Sequence, residues 1–327
     1  MSLIEVSELR RTFTVRRRVD GARRKQRTEV EAVRDLTFAI DAGEMVGYIG
    51  PNGAGKSTTV KMLTGILVPT SGRISVAGVD PSRHRTALAR RIGVVFGQRT
   101  SLWWDLPLHD SFDLLHKIYR TDPARHRTNL AEFVELLDLG DLLDTPVRQL
   151  SLGQRMRGDI VAALLHDPEI LYLDEPTIGL DVVSKGRLRE FLRALNRDRG
   201  TTLMLTTHDL QDIEALCDRV IVIDHGTQVY DGTLAGLHEQ GGSRRTVVVD
   251  LVDEAPPIEV AGAVTRRVEG PRQWLSFPAD ASAAPIVAAL ATSYDVADLS
   301  IQEPDIEEVI RQLYSRPPSE PSGRPSG

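Results

Sequence analysis

The sequence predicts an α/β fold with a mainly parallel sheet, and two observations carry this prediction. Apolar runs typical of buried strands alternate with segments of helical spacing, most clearly at 170–174, 182–196, 202–206 and 209–217. This alternation is typical of a parallel sheet with helices on both faces. In addition, a glycine-rich segment directly follows an apolar strand. Ligands of such sheets bind at the carboxyl ends of the strands, so we expect the functional site there.

The glycine-rich segment has the spacing G-x-x-x-x-G-K-S of a phosphate-binding loop. It consists of Gly50, Pro51, Asn52, Gly53, Ala54, Gly55, Lys56 and Ser57, followed by Thr58. A strand pattern at 44–49 precedes it and a helical pattern at 56–66 follows it, which is the context this motif requires. Glycines let backbone N–H groups approach phosphate oxygens because no Cβ intervenes. We therefore predict a nucleotide site, with Lys56 on the β- and γ-phosphates and Ser57 on Mg²⁺.

A second motif is the apolar strand 170–174, which ends in two adjacent carboxylates, Asp174 and Glu175. Its end falls at the same sheet edge as the glycine-rich loop. We predict that Asp174 holds Mg²⁺ through water and that Glu175 is the general base for an attacking water. The two motifs together predict a P-loop NTPase core that binds ATP and Mg²⁺ and hydrolyses the ATP.

A third motif, Leu150-Ser151-Leu152-Gly153-Gln154, separates one family from other users of this loop. With the three motifs in this order, the chain resembles the ATP-binding cassette (ABC) proteins, the ATPase subunits of membrane transporters. The resemblance implies that Ser151, Gly153 and Gln154 lie at a helix N-terminus, a natural anion site, and close on the ATP of a second subunit. Two copies would then pair head-to-tail. The family commonly has glycine at the position of Leu152, and the geometry is kept if the leucine side chain points away.

The resemblance implies further roles outside these motifs. Gln98 matches the glutamine loop that senses the γ-phosphate and Mg²⁺, and His208 matches the switch histidine that hydrogen-bonds the γ-phosphate. Asp181 matches the loop that crosses to the other subunit. Phe13 is our candidate for the aromatic ring that stacks on adenine, with a core phenylalanine as the alternative.

The chain divides into parts of different composition. Residues 1–240 are predicted to form the ATP-binding domain, which begins with antiparallel strands at 3–9 and 32–40. A helical subdomain is predicted as an insertion at about 106–166. We further predict a linker at 241–243 and a small α+β domain at 245–314. A disordered tail rich in Ser, Pro and Gly is predicted at 315–327.

Composition excludes several function classes. No apolar run approaches the roughly 18–20 residues that cross a bilayer, and the first residues lack a signal-peptide layout, so we expect the chain to stay in the cytosol. The net charge of −6 argues against a nucleic-acid partner. A single cysteine, Cys217, excludes an internal disulfide and a cysteine-based metal cluster. The basic run at 16–27 is typical of a flexible loop. Alternatively, it contacts anionic lipid headgroups or an acidic loop of a partner.

Residues 299–309 are similar to the C-terminal extension of the drug-exporter type of cassette, which pairs with ABC-2 membrane subunits. We therefore predict the ATPase subunit of an exporter, held at the cytoplasmic face of the cell membrane by ABC-2 permease subunits. The other cassette would be a second copy or a paralogue. The segment 97–107 fits a groove for the membrane subunit, where Trp103 and Trp104 are either interface anchors or subdomain core. A soluble regulatory or assembly ATPase is the alternative.

Overall fold

The computed structural model describes residues 2–17, 26–97, 99–207, 209–240, 244–278, 281–302 and 309–310. The chain divides into two compact units, Met1–Gly232 and Thr233–Gly327. The basic run at 16–27 falls largely outside the described residues, and the tail at 315–327 falls entirely outside them. Among the described residues, no helix combines the length and the apolar composition needed to cross a bilayer.

The strands of the described part, β1 to β13, are Ser2–Arg17, Gln26–Asp41, Met45–Ile49, Ser71–Val76, Ile92–Phe96, Ile170–Asp174, Thr202–Thr206, Arg219–Asp224, Thr227–Thr233, Arg244–Leu251, Val264–Glu269, Arg272–Pro278 and Val296–Gln302. Its α-helices, α1 to α9, are Lys56–Leu63, Arg85–Leu88, Leu108–Tyr119, Pro123–Leu136, Leu152–Leu164, Val182–Arg199, Leu210–Leu216, Leu234–Gln240 and Ala284–Ser293. Short 3₁₀ turns at Gly140–Leu142 and Val147–Gln149 lie between α4 and α5. The segment 106–166 thus carries α3, α4 and α5.

The central sheet of the first unit has the strand order β5-β6-β7-β3-β8-β9. All four pairings from β5 to β8 are parallel. The strands of this sheet are apolar along most of their length because both faces are covered, and β7 is buried at every position. The predicted α/β fold with a mainly parallel sheet is therefore confirmed.

The N-terminal strands form a separate antiparallel sheet in the order β2-β1-β4. Helix α1 contributes Val60, Met62 and Leu63 to a buried core that contains residues of both sheets, such as Ile4 of β1 and Tyr48 of β3. Burial of these side chains is the main force that holds the helix in place. The loop that precedes α1 is therefore fixed relative to both sheets.

Helix α5 lies directly against β5 at the edge of the parallel sheet. A Cβ at Gly93 of β5 would collide with the carbonyl oxygen of Ala163, so only glycine allows this close approach. Ile160, Val161 and Leu164 of α5 are buried. The contact fixes the position of α5 and, with it, of the segment 150–154 at its N-terminus.

The second unit contains a four-stranded antiparallel sheet in the order β11-β12-β10-β13, together with α9. Val249, Phe277 and Leu290 belong to its buried core. Gln273 of β12 is fully buried, and its side-chain amide is satisfied by the segment at 255–258. This satisfied polar group anchors the long β10–β11 connection to the sheet.

Candidate active site

A cavity of about 640 Å³ lies at the carboxyl ends of β3 and β6. It brings together eight residues that the sequence predicts as site residues: Asn52, Gly53, Gly55, Lys56, Ser57, Thr58, Asp174 and Glu175. The other members of the loop, Gly50, Pro51 and Ala54, are not part of the lining. The structure thus places the phosphate-binding loop and the two carboxylates around a single cavity.

Two glycines give this loop its shape. Gly55 adopts a φ of +106°, and a Cβ there would lie 2.5 Å from the carbonyl oxygen of Ala32 in β2. A Cβ at Gly50 would collide with the carbonyl oxygen of Ile223 in β8. The backbone therefore approaches two neighbouring strands more closely than any side chain permits. Helix α1 begins directly after Gly55, so its positive N-terminal end faces the cavity.

Lys56 folds back over the loop. Its Nζ donates to the carbonyl oxygen of Gly50 at 2.5 Å and to that of Pro51 at 3.2 Å. Burial lowers the pKa of Lys56, while the nearby carboxylates of Glu175 and Asp174 act in the opposite direction. The cavity thus contains a partly desolvated ammonium group close to two carboxylates. This arrangement suits an anionic ligand with a bound cation, because the ammonium attracts the anion and the carboxylates attract the cation.

Asp174 and Glu175 are held at the sheet edge by hydrogen bonds. Thr206 at the end of β7 donates its hydroxyl to Asp174 Oδ1, and the carbonyl oxygen of Asp174 accepts from Gly97 N at 2.8 Å. Glu175 N donates to the carbonyl oxygen of Thr206 at 2.8 Å. Glu175 has a φ of +56°, a left-handed conformation that is uncommon for glutamate and that the surrounding bonds must maintain.

Sequence reasoning missed several contributors to this site. The cavity is also lined by Ala32, Lys61, Ile66, Phe96, Gly97, Arg99 and Ile178. Gly97 and Arg99 flank Gln98, so their presence could have been expected. Thr206 was missed because its contact with Asp174 depends on β6 and β7 ending side by side, where these last residues are paired. Lys61 and Ile66 belong to the predicted helical pattern 56–66 directly after the loop, whereas Ala32 comes from a distant part of the chain and has no local signal.

The third motif forms the start of α5. Ser151 is the N-cap, its Oγ accepts from Gln154 N at 3.2 Å, and Gln154 Oε1 accepts from Ser151 N at 2.8 Å. These reciprocal bonds are a capping box, which stabilises the helix start. Ser151, Gly153 and Gln154 are not among the residues that line the cavity. The side chain of Leu152 lies over Gly179 of the loop before α6.

Two other predicted residues lie outside the cavity lining. Asp181 is the N-cap of α6, where its carboxylate accepts from Ser184 N at 2.9 Å and from Ser184 Oγ at 2.7 Å. These hydrogen bonds lower the pKa of Asp181. Phe13 of β1 is half-buried, and the guanidinium of Arg11 lies 4.6 Å from the centroid of its ring. The structure therefore shows a structural contact for each of these residues.

The remaining predicted residues concern the segment 97–107 and the end of β7. Gln98 and His208 lie outside the residues that the structure describes. Trp103 and Trp104 are 38% and 51% exposed, and the guanidinium of Arg155 lies 5.3 Å from the centroid of the Trp104 ring. These exposures favour the interface alternative over a place in the core of the helical segment.

The chain is similar to known ABC proteins. Residues 33–178 match the family described as ABC transporter. The daunorubicin resistance ATP-binding protein DrrA3 of Streptomyces coeruleorubidus is 34% identical over 304 residues, 90% of this chain and 94% of that protein. The Nod factor export ATP-binding protein I of Burkholderia orbicola is 38% identical over 208 residues, 63% of this chain and 67% of that protein. A solved ATP binding subunit of an ABC transporter has a TM-score of 0.63 at 28% identity, covering 74% of this chain and 94% of that one.

The chain therefore belongs to the ABC transporter family, as an ATP-binding subunit. It binds ATP and hydrolyses it to power a transporter, as the sequence predicts. The ATP-binding cassette MJ0796, solved as a dimer bound to ADP and Pi, shares the fold with a TM-score of 0.61 at 24% identity, covering 71% of this chain and 98% of that one. The alternative of a soluble regulatory or assembly ATPase finds no support in these comparisons.

Proposed function

We propose that the chain hydrolyses ATP with Mg²⁺ at two composite sites, each made by the phosphate loop of one copy and the Ser151 helix start of another. The observation that carries this proposal is the division of the motifs within one chain. Lys56, Ser57, Asp174 and Glu175 surround one cavity, whereas Ser151 is absent from its lining. A single copy thus carries two half-sites, and a head-to-tail pair completes both.

The residues present fit Mg²⁺. This ion is usually held by one or two carboxylates and by the phosphates of the substrate. Ser57 and Asp174 line the same cavity and offer a hydroxyl and a carboxylate. Within the described ranges, no group of three or more His, Cys, Asp or Glu side chains could hold a metal ion by itself. Ser57 and Asp174, with Gln98 as the proposed third contact, would therefore hold Mg²⁺ together with the nucleotide, and the ion would offset phosphate charge.

The chain's own groups supply the remaining chemistry. Backbone N–H groups of the loop, the N-terminus of α1 and the ammonium of Lys56 oppose the charge on the phosphates, and donors fixed in this way stabilise charge that develops in the transition state. Glu175, held at a positive φ, would accept a proton from the attacking water. His208 would hydrogen-bond the γ-phosphate, and Asp181 would contact the second copy.

Phe13 remains our proposal for adenine stacking. It pairs with Val30 of β2, two residues from Ala32, and Ala32 lines the cavity. The ring therefore belongs to the strand pair that borders the cavity on its β2 side. Its half-buried ring offers an apolar surface of the kind that an adenine base can stack on.

We further propose export through ABC-2-type membrane subunits, which would hold the chain at the cytoplasmic face of the membrane. The names of the relatives point to drug resistance and to Nod factor export. In this assignment residues 1–240 are the ATP-binding domain, with the helical subdomain at 106–166, and 245–314 is a separate α+β domain. The exposed Trp103 and Trp104 would contact the membrane subunit, since aromatic residues are enriched at interfaces.

The partner proposal is tested by affinity purification of the tagged chain from gently solubilised native membranes, followed by peptide identification. We expect a polytopic membrane protein at near-equal amount. The double variant Trp103→Ala/Trp104→Ala should lose it, whereas Trp274→Ala, in the second unit, serves as the matched control and should retain it. Recovery of soluble proteins alone, with the chain absent from the membrane fraction, would contradict the proposal.

A further inference from the structure

The side chain of Leu152, the first residue of α5, lies on the loop before α6. A Cβ placed on Gly179 would lie 2.5 Å from Leu152 Cδ2 and 2.9 Å from Leu152 Cγ. Gly179 also has a φ of +74°, a conformation that favours glycine. The backbone of this loop is therefore in direct contact with the leucine, at a distance that leaves no room for a side chain.

The next residue along each segment makes the reciprocal contact. A Cβ on Gly153 would lie 2.9 Å from Leu180 Cδ2 and 3.1 Å from the carbonyl oxygen of Gly179. Each segment thus supplies one leucine and one glycine, with Leu152 on Gly179 and Leu180 beside Gly153. We call this four-residue contact the Leu–Gly interlock. It joins the capping box of α5 to the loop that ends at the N-cap of α6.

The loop side of the interlock is itself anchored. Thr177, two residues before Gly179, donates its hydroxyl to Asp212 Oδ2 at 2.5 Å. Asp212 of α7 is fully buried and pairs with Arg189 of α6. Asp181, two residues after Gly179, caps α6. The interlock therefore connects the start of α5 to a segment that is fixed at both ends, and not to a free loop.

We propose that Leu152 is a positioning residue that joins the Ser151 helix start and the 177–181 loop into one rigid surface for closure on the ATP of a second copy. The inference rests on the composite sites of the proposed function. A surface that is already ordered loses less conformational freedom on association, which favours closure. The leucine remains 38% exposed, so it holds the loop and still belongs to the surface.

The test measures ATP-dependent pairing by size-exclusion chromatography in a Glu175→Gln background, with Mg²⁺ present. We expect Leu152→Ala to raise the ATP concentration for half-maximal pairing by about tenfold. A change of this size matches the interaction energies measured between side chains in contact. The nucleotide affinity of the unpaired chain should stay unchanged, because Leu152 does not line the cavity. Leu152→Met, which keeps the reach of the side chain, should pair as the parent does. Leu136→Ala removes another exposed leucine, on α4, and serves as the control.

A second variant tests the contact itself. Gly179→Ala places a methyl group against Leu152 and should impair pairing more than Leu152→Ala does. Combining the two changes should recover roughly threefold or more relative to Gly179→Ala alone, because the collisions with Leu152 Cδ2 and Cγ are removed and only the backbone strain and a 3.3 Å contact with the Cβ of residue 152 remain. If Gly179→Ala does not fold, the comparison of Leu152→Ala with Leu152→Met decides.

The outcomes separate this inference from the proposed function. A parent chain that never pairs with ATP contradicts the composite site, and the positioning role falls with it. A parent that pairs normally, with Leu152→Ala pairing at the same ATP concentration, overturns the positioning role alone. Strictly additive effects of the Leu152 and Gly179 changes overturn it as well.

Discussion

Lys56 is the first residue of α1, and its ammonium group is charged and partly desolvated. Its ammonium donates to two loop carbonyls and lies near Asp174 and Glu175, so it is already placed where phosphate oxygens would bind. We predict that Lys56→Ala lowers ATP turnover by roughly 100-fold or more, since loss of one preorganised donor costs about 3–4 kcal/mol of transition-state stabilisation. Turnover of the purified chain and binding of a fluorescent nucleotide measure this. Lys117→Ala, at an exposed position of α3, is the matched control, and equal losses in both variants would contradict the assignment.

The role that we propose for Glu175, acceptance of a proton from the attacking water, differs from the role that we propose for Lys56. We predict that Glu175→Gln reduces turnover by about 1,000-fold while the affinity for ATP changes little, because an amide keeps the size of the side chain but cannot accept the proton of the attacking water. Single-turnover kinetics with Mg²⁺ separates binding from hydrolysis. Glu190→Gln, on the exposed face of α6, should leave both unchanged. A Glu175→Gln chain with native turnover would require another base.

At the residue scale, the sequence indicated the groups with chemical roles more fully than the groups that position them. Lys56, Ser57, Asp174 and Glu175 follow from local spacing, since each motif lies within one strand–loop–helix segment. Thr206 and Gly179 contribute through contacts between segments that are distant along the chain. The contact of Leu152 with Gly179 spans 27 positions, and no local pattern encodes such a pair.

The helices α6 and α7 are joined by a buried ion pair. Arg189 Nη2 and Asp212 Oδ1 are 2.5 Å apart, and the side chain of Asp212 is fully buried. We predict that Arg189→Met lowers the free energy of unfolding of the first unit by about 3 kcal/mol, because it leaves a buried carboxylate without its cationic partner. Urea denaturation measures this. Arg197→Met removes an exposed arginine from the same helix and should change the value by less than about 0.5 kcal/mol. Equal values for the two variants would contradict the prediction.

Helices α3 and α4 are joined by a stacked pair of histidines. The rings of His116 and His126 have centroids 4.5 Å apart, and His126 is buried. Burial lowers the pKa of His126, and nearby His116 adds to the effect, as does Arg127, while Asp113 opposes it. The unfolded chain therefore binds a proton at a higher pH than the folded chain does. The free energy of unfolding should therefore fall as the pH drops through about 6.5, the ordinary pKa of histidine.

The variant His126→Phe tests this dependence. It removes the titrating group and keeps an aromatic ring, so the midpoint of thermal unfolding should fall less between pH 7 and pH 5 than that of the parent. His84→Gln, at an exposed position before α2, should keep the full dependence of the parent. Parallel curves for the parent and His126→Phe would show that another group dominates.

At the element scale, the strands of the parallel sheet were predictable and the antiparallel strands less so. Ile170–Asp174 and Thr202–Thr206 coincide with the predicted apolar runs, because strands buried on both faces are apolar throughout. In contrast, β1 and β2 each span 16 residues and extend well beyond the predicted 3–9 and 32–40. Their outer halves pair only with each other and carry many polar residues, so no apolar pattern marks them.

At the scale of the whole molecule, the fold of the first unit holds both proposed half-sites in place. The core around α1 fixes the phosphate loop to the two sheets, and the contact between α5 and β5 fixes the capping box of Ser151. The sequence motifs were sufficient to identify the family, and they are the basis for the proposal of two half-sites. They carry no information on the geometry of closure, because that depends on contacts between copies.

We propose that each complete site combines Lys56 of one copy with Ser151 of the other. The most direct measurement mixes two chains that both carry Glu175→Gln, one with Lys56→Ala and the other with Ser151→Arg. Neither variant by itself should form a dimer when ATP is added. The mixture contains one complete site per pair, so analytical ultracentrifugation should detect a dimer. A mixture that stays monomeric at concentrations where the parent Glu175→Gln chain pairs, or a single variant that pairs by itself, would contradict the account.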